Sequence, residues 1–86
     1  PMGAQTEFID PTNSLCLAEV HIGEPWLGRK AGDLAQATSG RVAFLTRYGQ
    51  ALLPEEWTVI QEGDLVHLLF DPDRRDHVER ICEKGQ

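Results

Sequence analysis

Residues 65–70 read LVHLLF, five apolar side chains and one histidine without a break. In an extended chain such a run shows apolar groups to both faces, and a strand of that kind has to be covered on both sides. One face is expected to meet helices of the same chain and the other a second subunit.

The flanking patterns supply the other elements. Over Leu15 to Ile22, Cys16, Ala18, Val20 and Ile22 alternate with Leu15, Leu17, Glu19 and His21, a period of two that predicts a strand. Leu27, Ala31, Leu34 and Ala35 then fall on one stripe of a short helix that Gly40 is expected to end. In the strand RVAFLTRY, Val42, Phe44, Thr46 and Tyr48 share one face and Arg41, Ala43, Leu45 and Arg47 the other. Gly49-Gln50 predicts a tight hairpin returning through ALL, Pro54 interrupts the run, and a short strand is expected near Thr58 to Ile60. Asp71-Pro72-Asp73 caps a last helix with Val78, Ile81 and Cys82 on its buried stripe and Gly85 at its end. The order is β-α-β-β-β-α with the short strand near 58–60 as an extra element, an α+β domain with a mainly antiparallel sheet over residues 15–86.

Residues 1–14, PMGAQTEFIDPTNS, are polar and broken by Pro11 and Asn13, which reads as a linker or arm. Pro1 before Met2 further suggests a cloning remnant on a piece of something longer. At 86 residues there is room for one domain, which would bury only about 60–65% of its unfolded surface. Association with another copy or a covalent neighbour is therefore expected.

Composition narrows the function. Fourteen acidic residues against eight basic ones give a net charge of −6, which argues against a nucleic-acid-binding face. No run reaches membrane-spanning length. Cys16 and Cys82 lie in no CxxC or Cys/His cluster, so neither a disulfide framework nor a zinc site is indicated, and a bacterial-cytosol setting fits.

Candidate chemistry is sparse. Glu62 and Asp64 flank Gly63, a pair that could do acid–base work, but the glycine marks a tight turn whose carboxylates are expected to face solvent. Glu19 and His21 could give two metal ligands, with no third in sequence range. His67 reads as a satisfied core or interface histidine, and His77 as a solvated one. Both cysteines fall on buried faces, where a thiol is inert. No GxSxG, P-loop or GxGxxG pattern occurs, so no catalytic site is expected. Arg29, Lys30, Arg41 and Arg47, with a helix N-terminus, could gather around an anion, or could be ordinary surface charges.

The ordered set EVHIGEPWLGRKAGDL and GRVAFLTRYGQALLPEEWTVIQEGDLVHLLFDPD resembles a TrkA C-terminal (RCK_C) domain. The resemblance rests on Gly28-Arg29, Leu34, a strand ending at Arg47, Pro54, the turn set Thr58, Ile60, Gly63 and Asp64, and Asp71-Pro72, over residues 17–84. LAEVHIGEPWLGR and RVAFLTRYGQALLP are similar to actinobacterial members that serve Trk potassium uptake.

The resemblance implies a cytoplasmic homodimeric regulatory domain, peripherally associated with a membrane potassium transporter or channel subunit. It implies a Rossmann-type nucleotide-binding domain before it, no cofactor or metal, and in some members cyclic di-AMP bound between two copies. Carried over residue by residue, the cyclic di-AMP site would involve Leu34, Ala35, Arg41, Val42 and Pro54. Two departures stand out: the basic residue expected near Ala35 is absent, and Arg41 occupies an amide position. The alternative implication is a structural dimerisation and coupling module with no ligand. A small metal-binding or enzymatic domain using Glu19, His21 or His67 is the remaining reading.

Overall fold

A computed structural model describes residues 2–86; Pro1, and the reading of it as a cloning remnant, lie outside the described residues. Five strands form one antiparallel sheet: β1 (Ala4–Ile9), β2 (Cys16–Val20), β3 (Arg41–Arg47), β4 (Gln50–Leu52) and β5 (Leu65–Phe70), in the order β1-β2-β5-β3-β4. The run LVHLLF is the middle strand of the sheet. Helices α1 (Ala31–Thr38) and α2 (Arg75–Lys84) cover one face. Against them lie Cys16, Ala18 and Val20 of β2, Leu45 of β3, and Val66, Leu68 and Phe70 of β5. Leu34, Val78, Ile81 and Cys82 close this core from the helix side, with Trp26 and Ile60 from the connections.

Several local features differ from the sequence reading. The polar segment read as a linker or arm carries β1, whose residues pair with β2 from Ala4↔Val20 to Ile9↔Cys16. Backbone pairing with a sheet edge needs no buried face, and five of its six residues are exposed, so no period-two apolar signal marks it. Leu27 is not part of α1. Pro25 starts a 3-10 turn over Glu24–Trp26, Gly28 has φ +88°, and the helix begins only at Ala31. Trp26 takes the core position instead and donates its indole N–H to Ile81 O at 2.7 Å.

α1 ends at Ser39, which adopts the left-handed conformation at φ 57°. Gly40 serves close packing instead. A Cβ there would sit 2.5 Å from Leu69 O, so only glycine allows the turn to press against β5. In β3 the register slips between Val42↔Leu68 and Phe44↔His67, a β-bulge at Ala43. The extra residue puts Val42 and Leu45 on the same, helix-covered face, and turns Phe44 and Thr46 to the opposite one. Strict alternation from Val42 to Tyr48 therefore fails at that point.

The hairpin loop is Tyr48-Gly49, with Arg47 paired to Gln50. Both loop residues have positive φ, 50° and 76°, the mirror-image turn whose twist matches a two-residue hairpin. Residues 58–60 form no strand; a single bridge joins Val59 to Lys30. Asp71 caps a short 3-10 turn (Pro72–Arg74), its carboxylate accepting from Asp73 N at 2.9 Å, before α2 starts. Val78, Ile81 and Cys82 form the buried stripe of α2, and Gly85 stops it at φ 88°.

Candidate functional site

The end of α1, the start of β3 and the segment after β4 surround a surface cleft of about 680 Å³, within the usual range for small-molecule sites. Ala35, Arg41, Val42 and Pro54, four of the five residues singled out for a ligand, line it. Leu34 does not. It is 0% exposed and belongs to the core, because one helical step from Ala35 turns its side chain towards the sheet.

The local geometry follows from the turn between α1 and β3. Thr38 Oγ1 donates back to Leu34 O at 2.8 Å, Ser39 reverses the chain, and Gly40 N returns to Ala35 O at 3.0 Å. The turn sets Arg41 at the cleft rim. Its Nη1 has one long contact, 3.4 Å to Gly40 O, and the side chain is otherwise open to solvent. The floor is small and apolar, from Ala31, Gly32 and Ala35 to Val42 and Pro54.

Sequence reasoning missed the polar members of the rim. Gln36 and Ser39 come from the exposed side and end of α1, and Glu55 and Glu56 follow Pro54. The signal for the first two was position, next to Ala35 and before Arg41. Nothing in the sequence folds Glu55 and Glu56 back over α1. The rim therefore carries two carboxylates and one guanidinium.

The segment 53–60 is strapped across the start of α1. Gly32 N donates to Glu56 O at 2.9 Å, Ala31 N to Thr58 O at 2.8 Å, and Gly28 N to Ile60 O at 2.8 Å. The first two of these bonds occupy helix-terminal donors that could otherwise face an anion. The basic residues do not gather either. Arg29 stacks 3.7 Å over the Trp26 ring and donates to Gly85 O at 3.0 Å. Arg47 is engaged by Asp64 on the other side of the strap. Only Arg41 of the four lines the cleft.

Asp64 is the main correction to the reading of the acidic turn. Gly63 does have a positive φ, 87°, and Glu62 is exposed. The Asp64 side chain is only 1% exposed rather than solvent-facing. It accepts from Arg47 Nε and Nη2, both at 2.8 Å, and from Gln61 N at 2.8 Å. The two-pronged guanidinium bond holds this carboxyl below the usual carboxylate range, with the Gln61 N–H acting in the same direction.

His67 is 5% exposed on the helix-free face, where Phe44 stacks on its ring at 3.9 Å. Its Nδ1 meets Glu7 Oε1 at 2.8 Å and its Nε2 meets Thr46 Oγ1 at 3.0 Å. Both ring nitrogens are thus satisfied, as the sequence suggested. His21 Nε2 lies 3.1 Å from Glu83 Oε2, while Glu19 sits opposite His67. Among the described residues no three His, Cys, Asp or Glu side chains converge as a metal site. His77 is exposed, with Arg80 Nη2 at 2.9 Å. Cys16 and Cys82 are free and buried; burial raises both thiols, Cys82 to about 12.

The family comparison matches the TrkA-C domain over residues 17–83. The chain belongs to the TrkA-C domain family. The Trk system potassium uptake protein TrkA of Streptomyces coelicolor is 47% identical over 85 residues, covering 99% of this chain and 38% of that protein. The TrkA-C domain here therefore spans well under half of that relative. Among solved structures, the crystal structure of the GsuK RCK domain superposes with a TM-score of 0.71 at 23% identity, over 94% of this chain and 19% of that one. The GsuK channel bound to NAD gives 0.74 at 24%, over 94% and 15%. At such identities these two similarities establish the fold: a small α+β domain with a five-stranded antiparallel sheet and two helices.

Proposed function

We propose that this TrkA-C domain is the regulatory part of a potassium uptake system, working as a homodimer and sensing cyclic di-AMP at the cleft beside α1. The observation that carries the reading is the convergence of Ala35, Arg41, Val42 and Pro54, from separate parts of the chain, on one cleft of about 680 Å³. The small apolar floor suits a planar base, and Arg41 supplies an uncommitted guanidinium for phosphate. A dinucleotide between two copies would meet an Arg41 from each.

The parent protein would be cytoplasmic, with a Rossmann-type nucleotide-binding domain preceding this one and a membrane transporter subunit as partner. The similarity to a Trk system potassium uptake protein supports that assignment. Such a domain regulates rather than catalyses. A bound ligand would shift the transporter only through its differential affinity for two dimer arrangements, typically about 1–3 kcal/mol of coupling.

A specific observation favours a second reading. Glu55 and Glu56 share the cleft rim with Arg41, which opposes a dianionic ligand. On that reading the domain is a dimeric coupler without a ligand of its own. Calorimetric titration with cyclic di-AMP, with ATP and NADH as controls and light scattering for mass, separates the two. Saturation at one dinucleotide per two chains supports the sensor; a stable dimer that binds none of them supports the coupler.

A further inference from the structure

Resting on the reading of the cleft as a ligand site, we infer that Arg47 and Asp64, which do not line it, are positioning residues that set one of its walls. The cleft has two walls of different construction. One is α1 with its turn into β3. The other is the strap of residues 53–60, irregular along its length, which contributes Pro54, Glu55 and Glu56.

The strap has little core anchorage. Ile60 is buried, whereas Leu53, Trp57 and Val59 are exposed. Its place is set by backbone bonds to residues 28–32 and by one side-chain clip at its far end. Arg47 Nη2 donates to Val59 O at 3.0 Å while the same guanidinium grips Asp64 through both oxygens. Asp64 in turn accepts from Gln61 N, so the end of β3, the strap and the start of β5 meet at one carboxylate.

The geometry is directional. Val59 bridges Lys30, Ile60 exchanges backbone bonds with Gly28 and Arg29, and Thr58 and Glu56 receive the first donors of α1. Holding Val59 and Gln61 therefore holds Thr58 and Glu56 on α1, and with them Glu55 and Pro54 at the rim. Only a fork-shaped donor reaches a backbone carbonyl and both carboxylate oxygens together. A lysine keeps the charge and loses that reach. Without the clip the strap is free to lift, which widens the cleft and withdraws its acidic rim.

The test uses Asp64→Asn and Arg47→Lys in the 86-residue chain, with Val78→Ala on α2 as a control for general loss of stability. Hydrogen exchange is followed at the Gly28, Ala31, Gly32 and Ile60 amides, and cyclic di-AMP affinity is measured by calorimetry. The expected result is at least about tenfold faster exchange at those four amides and a tenfold or greater change in affinity in both clip variants. Val78→Ala should leave affinity within about twofold. Unchanged exchange in the clip variants, or faster exchange with unchanged affinity, overturns the inference, as does an equal affinity change in Val78→Ala. Absence of binding by the unaltered chain sinks the ligand reading alone; exchange at the four amides then still decides whether the clip sets the wall.

Discussion

Glu7 Oε1 lies 2.8 Å from His67 Nδ1, which ties the exposed edge strand β1 to the middle of the sheet. The two residues are separated by all of β2, and Glu7 reaches across because the register slips between Thr6 and Phe8. Glu7→Ala leaves a buried ring N–H without its acceptor, a loss of about 1–2 kcal/mol. Urea denaturation should show that loss, and exchange at the β1 amides should quicken. Equal stability of Glu7→Ala and the parent would mean that water replaces the carboxylate.

Asp64 makes stability depend on acid. Its carboxyl is held below 3.8 in the folded chain, so its contribution is complete above that value and disappears as pH falls through the lowered folded value. Asp10, bonded by Thr12, Leu15 and Ser14, titrates at about 2 and adds to the same window. Asp64→Asn should lose about 1–2 kcal/mol at pH 7, since the amide can accept only one of the two guanidinium bonds. Its urea midpoint should fall less steeply than the parent's below pH 4, and the Asp10 share of the slope should persist. Parallel curves for the two proteins would remove Asp64 as the titrating group.

Arg41→Ala should weaken cyclic di-AMP binding by at least about tenfold, the worth of one charge-assisted hydrogen bond. Stability should stay within about 0.5 kcal/mol, because the side chain has one long backbone contact. Leu34→Ala should do the reverse and cost about 2–5 kcal/mol through a core cavity. Calorimetry and urea denaturation on both variants check the contrast. Unchanged affinity in Arg41→Ala removes Arg41 from the site.

Gly40→Ala forces a Cβ to within 2.5 Å of Leu69 O. A backbone neighbour cannot rotate away, so the turn into β3 must shift, at a cost of at least about 2 kcal/mol. Thermal unfolding reads the effect directly.

Cys82 is buried with its thiol raised to about 12, so almost no thiolate exists at neutral pH. Thiol reagents should modify it only as fast as the chain opens, and urea should accelerate the reaction in step with unfolding.

The sequence by itself determined the apolar strand at 65–70, the order of strands and helices after residue 15, and the buried stripe of α2. The strand is an unbroken apolar run, and the stripe of α2 repeats apolar residues at the period of its own backbone. It also placed Ala35, Arg41, Val42 and Pro54 together, through family resemblance rather than through any pattern of charge. Only the tertiary structure decided the rest. β1 is held by pairing with a neighbour's backbone, which leaves no mark on its own side-chain pattern. The bulge at Ala43 reverses the facing of Val42 without changing one residue type. Asp64 is buried because Arg47, seventeen positions earlier, comes to lie beside it. Glu55 and Glu56 reach the cleft because the strap bonds to α1. Contacts made between distant segments are set by how the chain returns on itself, and local periodicity carries no record of that.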